Sequence, residues 1–173
     1  AGTVTRDEDG SITDTTITTG GGGGVRLANQ GVTFTMSGGT ISGNSAANGG
    51  AVYVDTGASL IMSGGKVGSS DSANTATNGA GVYLKGSGVL TGGTISHNSA
   101  TGKGGGAYVA SGSSITMSET AAITDNSVGS VENGGGVYIA GEKTTDGNGN
   151  ESAVSGIIHV QGGVKITGNT AGS

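Results

Sequence analysis

The sequence predicts an all-β fold, a single-stranded parallel β-helix of about six coils with three short strands in each and no helices of note. Three observations carry that expectation. The four tyrosines, Tyr53, Tyr83, Tyr108 and Tyr138, sit in nearly the same phrase each time (GGAVYV, GAGVYL, GGGAYV, GGGVYI), spaced 30, 25 and 30 residues apart. A second phrase keeps the same beat: Ile41-Ser42-Gly43-Asn44, Ile95-Ser96-His97-Asn98, Ile123-Thr124-Asp125-Asn126 and Ile166-Thr167-Gly168-Asn169. A unit repeated at this period forms a stack in which each unit touches only its neighbours. The third observation is the absence of proline from all 173 residues, which suits a chain whose backbone N–H groups are spent in ladders. Forty glycines alone would suggest a disordered, low-complexity segment, but the apolar pairs recurring beside them argue for order.

The elements follow in order. Residues 1–19 carry Thr-rich alternation around Ile12 and Ile17 and read as an irregular first turn or an N-terminal cap. Repeats fill 20–173 as one domain, and Gly23-Gly24-Val25-Arg26-Leu27 already matches the tyrosine phrase with Arg26 in the tyrosine place. The first strand of a coil is Val32-Thr33-Phe34-Thr35-Met36, echoed at Ser59-Leu60-Ile61-Met62, Val89-Leu90, Ser114-Ile115-Thr116-Met117 and Ile157-Ile158-His159-Val160. The second carries Ile41, Val67, Ile95, Ile123 and Ile166, and the third is the tyrosine phrase. Strand side chains alternate, so Val52 with Val54, Val82 with Leu84, Ala107 with Val109 and Val137 with Ile139 point inward, and the tyrosines outward. Residues 141–155 read as a loop insertion. Nothing after Ile166 resembles a cap, so the C-terminal coil is expected to be open to end-to-end association. The chain begins at Ala1 without a signal peptide and stops in mid-repeat, and so reads as part of something longer.

Composition excludes several functions. The net charge of −5 is thinly spread, with seven Lys and Arg and no basic stripe, which argues against nucleic acid. No apolar run approaches a membrane span. Without cysteine there are no disulfides or thiolate metal sites.

Candidate chemistry is sparse. Asn44, Asn98, Asn126 and Asn169 recur three residues after an inward Ile, where asparagine suits a tight corner and stacked amides form a ladder. Ser70 takes that place in the second repeat. The tyrosine column, headed by Arg26, has two readings: rings covered by corner loops, or an aromatic ridge for sugars or protein partners. His97 falls at a turn and His159 on an outward strand position, with no acidic neighbour for either. Asp146, Asn148 and Asn150 alternate with glycine as in a calcium loop, as do residues 6–12 less completely, but neither has the full ligand pattern. No cofactor is expected. Asp55, Asp71, Glu119, Asp125 and Glu132 lie at unrelated phases of the repeat, and Arg6 and Arg26 are the only arginines, which argues against an enzyme of acidic polysaccharides. Thr40-Ile41-Ser42 and Thr94-Ile95-Ser96 suggest an ice-binding array, but Lys66, Gly68, Ala122 and Lys165 interrupt it.

The repeats resemble those of right-handed parallel β-helices, and among them bacterial polymorphic membrane proteins and autotransporter-type adhesin passengers. Gly49-Gly50-Ala51-Val52 matches their Gly-Gly-Ala-Ile/Leu/Val motif, and Gly105-Gly106-Ala107-Tyr108 nearly does. Their Phe-x-x-Asn motif is replaced here by Ile-x-x-Asn. The handedness is carried by this resemblance and by the right-handed bias of parallel crossovers. The resemblance implies a secreted or cell-surface bacterial rod without catalysis, an adhesin or stalk module whose partners are extracellular glycans or surface proteins. The alternative it leaves is a carbohydrate-active β-helix, lyase or hydrolase, whose catalytic turns lie outside this chain.

Overall fold

A computed structural model describes residues 5–6, 12–13, 21–129, 134–145 and 147–172. The chain winds as a parallel β-solenoid whose coils each contain four strands, one more than the sequence suggested. The Met sheet stacks Thr33–Met36, Ser59–Met62, Ser87–Leu90, Ser114–Met117 and Ile157–Val160. The Ile sheet stacks Thr40–Ser42, Lys66–Val67, Thr94–Ser96, Ala122–Thr124 and Lys165–Thr167. The Tyr sheet stacks Val25–Leu27, Val52–Val54, Val82–Leu84, Ala107–Val109 and Val137–Ile139. Between the Ile and Tyr sheets lies the unforeseen Ala sheet: Ser45–Asn48, Thr75–Asn78, Ser99–Lys103, Ser127–Val128 and Thr170–Ala171. Its strands are polar outside and bury only Ala46, Ala76, Ala100 or Val128, so they carry almost no apolar alternation.

The Tyr sheet runs Val25, Val52, Val82, Ala107, Val137 in register, which is four turns and a fifth rung rather than six coils. At a strand spacing of ~4.8 Å the stack is roughly 20 Å tall. Every inter-coil pairing is parallel, and the inward alternation is as expected: Val52, Val54, Val82, Leu84, Ala107 and Val109 are fully buried. Volumes compensate within coils. Gly88 occupies an inward position held by Leu60 and Ile115 in neighbouring coils, and Leu84 fills the space, 3.1 Å from where a Cβ on Gly88 would lie.

Both ends depart from the repeat. Thr5–Arg6 pairs antiparallel with Ile12–Thr13, which adds in parallel to the first strand of the Ile sheet through Ile12 opposite Ile41. In the last coil Val160, Ile166 and Ile139 are 51%, 40% and 39% exposed, although their counterparts one coil earlier, Met117, Ile123 and Val109, are fully buried. The 141–155 insertion is a β-hairpin, Gly141–Thr145 against Glu151–Ser155, with a Lys143–Glu151 ion pair of 2.9 Å.

One core position is mismatched. Ser113 is buried in register with Ala58, and its hydroxyl has no hydrogen-bond partner among the described residues. An unpaired buried hydroxyl costs roughly 1–3 kcal/mol. Ser113→Ala is therefore expected to stabilise the protein by about 1 kcal/mol, read as a higher urea midpoint at unchanged m-value.

Candidate functional site

The asparagine ladder is present and has five rungs rather than four. Asn74, not Ser70, occupies the second: Asn44 Nδ2 donates to Asn74 Oδ1 (3.0 Å), and Asn74 Nδ2 to Asn98 Oδ1 (2.8 Å). Asn98 Nδ2 then donates to Asn126 Oδ1 (2.9 Å), and Asn126 Nδ2 to Asn169 Oδ1 (2.9 Å). The backbone N–H of Asn98 donates to the same Asn126 oxygen, and its amide also points at the carbonyls of Val67 and Ser96. Asn44, Asn74, Asn98 and Asn126 are all at most 1% exposed. Their polar atoms are consumed in holding corners together, and this column offers nothing to a ligand.

The tyrosines form a second ladder, on the outside. Successive ring centroids are 5.2, 4.5 and 5.2 Å apart, with interplanar angles of 5°, 4° and 22°. Arg26 lies 5.3 Å over the Tyr53 ring and is 3.7 Å from Asp55. At the other end Lys103 sits 4.8 Å over Tyr138 and donates to its hydroxyl (3.2 Å). A register shift between the Ala76 and Asn78 pairings, where Thr101 and Gly102 face a single partner residue, delivers Lys103 to that place. Glycine makes the stack possible: a Cβ on Gly21 would lie 2.2 Å from the Tyr53 ring. The rings thus cover one another's faces and are capped by cations, with Tyr53 buried and Tyr83, Tyr108 and Tyr138 half-buried. That geometry leaves little room for a sugar to stack on an aromatic face.

Partial burial, with Tyr108 and Tyr53 on either side, pushes the Tyr83 pKa up from 10.0 to about 12. The folded protein therefore holds this proton where the unfolded chain has released it, and stability falls as pH rises from about 10 to about 12. Chemical denaturation across that window is expected to show this loss, and Tyr83→Phe to reduce it. The hydrogen bond to Tyr138 likewise raises the Lys103 pKa.

A third feature was not foreseen. Between Val67 and Asn74 the chain has six residues where the other coils have two between Ile and Asn. Residues 68–73 rise as a loop tied to the first coil by Gly43 N–H donating to Ser72 O (3.0 Å), with Ser70 donating to Asp71 (3.2 Å). Against the outer face of the Ile sheet this loop encloses a groove of about 420 Å³ lined by Thr40, Lys66, Ser69, Ser70, Thr94, Ser96, His97 and Thr124. The signal was available as an Ile/Val-to-Asn spacing of seven instead of three, and assigning Ser70 to the ladder hid it. His97 takes φ +56° and Asp125 φ +57°, in the column where Gly43, Gly68 and Gly168 supply the positive angle in the other coils. The Ile-sheet column Thr40, Lys66, Thr94, Ala122, Lys165 is in register and broken as an ice-binding grid. A smaller hollow of about 270 Å³ lies at the Tyr–Met corner beside Lys85, Ser59 and Ser87.

The remaining candidates are scattered. Glu119 and Asp125 sit at positive-φ turns, Asp71 in the loop, and His159 on the exposed Met-sheet column opposite Thr116. Asn148 and Asn150 lie at the hairpin end. Arg6 is in the N-terminal hairpin strand, while Glu132, Asp146 and most of 6–12 fall outside the described residues. Among the described residues no three His, Asp or Glu side chains gather as a metal site would, and no helix is long and apolar enough to cross a membrane. The fold and these surfaces define a parallel β-solenoid. No protein-family model matches the chain, and neither does any curated protein or solved structure.

Proposed function

We propose that this chain is a non-catalytic extracellular rod, an adhesin or stalk module of a bacterial surface, presenting its solenoid faces to glycans or surface proteins. One observation carries the reading. The recurring asparagine and tyrosine columns are committed to architecture, while the outer faces hold hydroxyls in vertical columns such as Thr33, Ser59, Ser87 and Ser114. The asparagines are spent in the buried ladder, the tyrosines in the stack, and Asp55 on Arg26. The match of Gly49-Gly50-Ala51-Val52 to the polymorphic membrane protein and autotransporter passenger motif supports the placement on a cell surface. A screen of glycans and matrix proteins tests the reading. Binding without chemical change of the ligand is expected, whereas new reducing ends or unsaturated sugars would overturn it in favour of a carbohydrate-active enzyme.

A further inference from the structure

We infer that the groove between the 68–73 loop and the Ile sheet is a binding site for a carboxylate-bearing oligosaccharide, with Lys66 as the charge contact. This rests on the adhesive reading and gives it a place and a ligand class. Three independent observations converge on the groove. Its wall is the only place where the Ile/Val-to-Asn corner lengthens among the five coils, so the concavity is an addition to the repeat and not a consequence of it. Its volume of about 420 Å³ lies within the range of small-ligand sites.

The lining chemistry selects the ligand. Hydroxyls of Thr40, Ser69, Thr94 and Thr124 both donate and accept, as sugar hydroxyls do. Lys66 stands in the middle of that array, exposed, and forms no ion pair among the described residues. An ammonium flanked in register by Thr40 and Thr94 offers a carboxylate one charge-assisted contact with hydroxyls on either side. Asp71 is turned toward Ser70, which donates to it, and Asp125 sits at the corner beyond Thr124. His97 supplies the third observation. It holds a left-handed backbone angle, as Asp125 does at the same corner of the next coil where Gly43, Gly68 and Gly168 serve the others, and of these two side chains it is His97 that lines the groove.

Titrating the whole chain with 3′-sialyllactose and with trigalacturonate, using lactose as the neutral control, tests this by amide chemical shifts. At least one acidic sugar is expected to shift amides in 68–72, 94–97 and 124, with lactose binding about tenfold more weakly or worse. Lys66→Gln is expected to weaken the acidic ligand about tenfold, and His97→Gly to weaken it while raising the unfolding midpoint. Shifts centred on the tyrosine ridge, equal binding of lactose, an unaffected Lys66→Gln variant, or no response to either acid would overturn the proposal. If the screen still finds a glycan or protein ligand in those cases, the adhesive reading survives without this site. If it finds none, both fall.

Discussion

Asn98→Ala is expected to lower the unfolding free energy by about 3 kcal/mol, since orphaned buried polar groups cost roughly 1–3 kcal/mol each. The side chain links three coils. It accepts from Asn74 above and donates to Asn126 below, and it also reaches the Val67 carbonyl of the preceding coil. Alanine removes the middle rung and leaves Asn74 Nδ2 one acceptor short in a site that water does not reach, as Asn74 is fully buried. Urea unfolding checks this, and binding by the outer faces is expected to be unchanged. Asn169, at the end of the ladder, is partly exposed and has only Asn126 as a ladder partner, so Asn169→Ala should cost clearly less.

Gly81→Ala is the second large effect. Its φ is ordinary, so the argument is space, not backbone freedom. A Cβ there would lie 2.4 Å from the Gly106 carbonyl oxygen, 2.7 Å from Ile95 Cγ2 and 3.0 Å from Asn98 Nδ2. Overpacking of this kind costs about 1–3 kcal/mol. The chain itself contains a compensated version of the change. In register with Gly81, the second coil carries Ala51, fully buried, and the inward residue it accompanies is Val67 where the neighbouring coils have Ile41 and Ile95. A carbon gained on one side is matched by one lost on the other. Ile95→Val in the Gly81→Ala background is accordingly expected to recover part of the loss, with a coupling of about 1 kcal/mol in a double-mutant cycle. Recovery stays partial because the Gly106 oxygen belongs to the backbone.

The solenoid itself was legible because identical phrases at one period leave few other ways to bury Val, Ile, Leu and Met. The inward faces of three sheets and the place of Arg26 above Tyr53 followed from alternation and alignment alone. The fourth sheet was illegible for a physical reason: Ala46, Ala76 and Ala100 fill a shallow corner, so strands like Ser45–Asn48 show no apolar contrast. Counting coils failed for the related reason that 141–155 is a hairpin that adds length without adding a rung, and that the N-terminal segment adds Ile12–Thr13 to the Ile sheet alone. The ladder was read correctly at four positions and missed at Asn74, because fixed spacing was trusted across an insertion. The same fixed spacing concealed the groove beside Lys66. The tyrosine column was expected to face outward, as covered rings or as a ridge, but alternation says nothing about ring planes, and these decide that neighbouring rings occupy each other's faces.

Nuclear Overhauser contacts among the tyrosine rings test the stacked register most directly. Ring protons of Tyr83 should show cross-peaks to those of both Tyr53 and Tyr108, whose centroids lie 5.2 and 4.5 Å away, and Tyr53 should show none to Tyr138. Tyrosine rings that contact only residues near them in sequence would contradict the coil register, and with it the ladder, the groove and the rod.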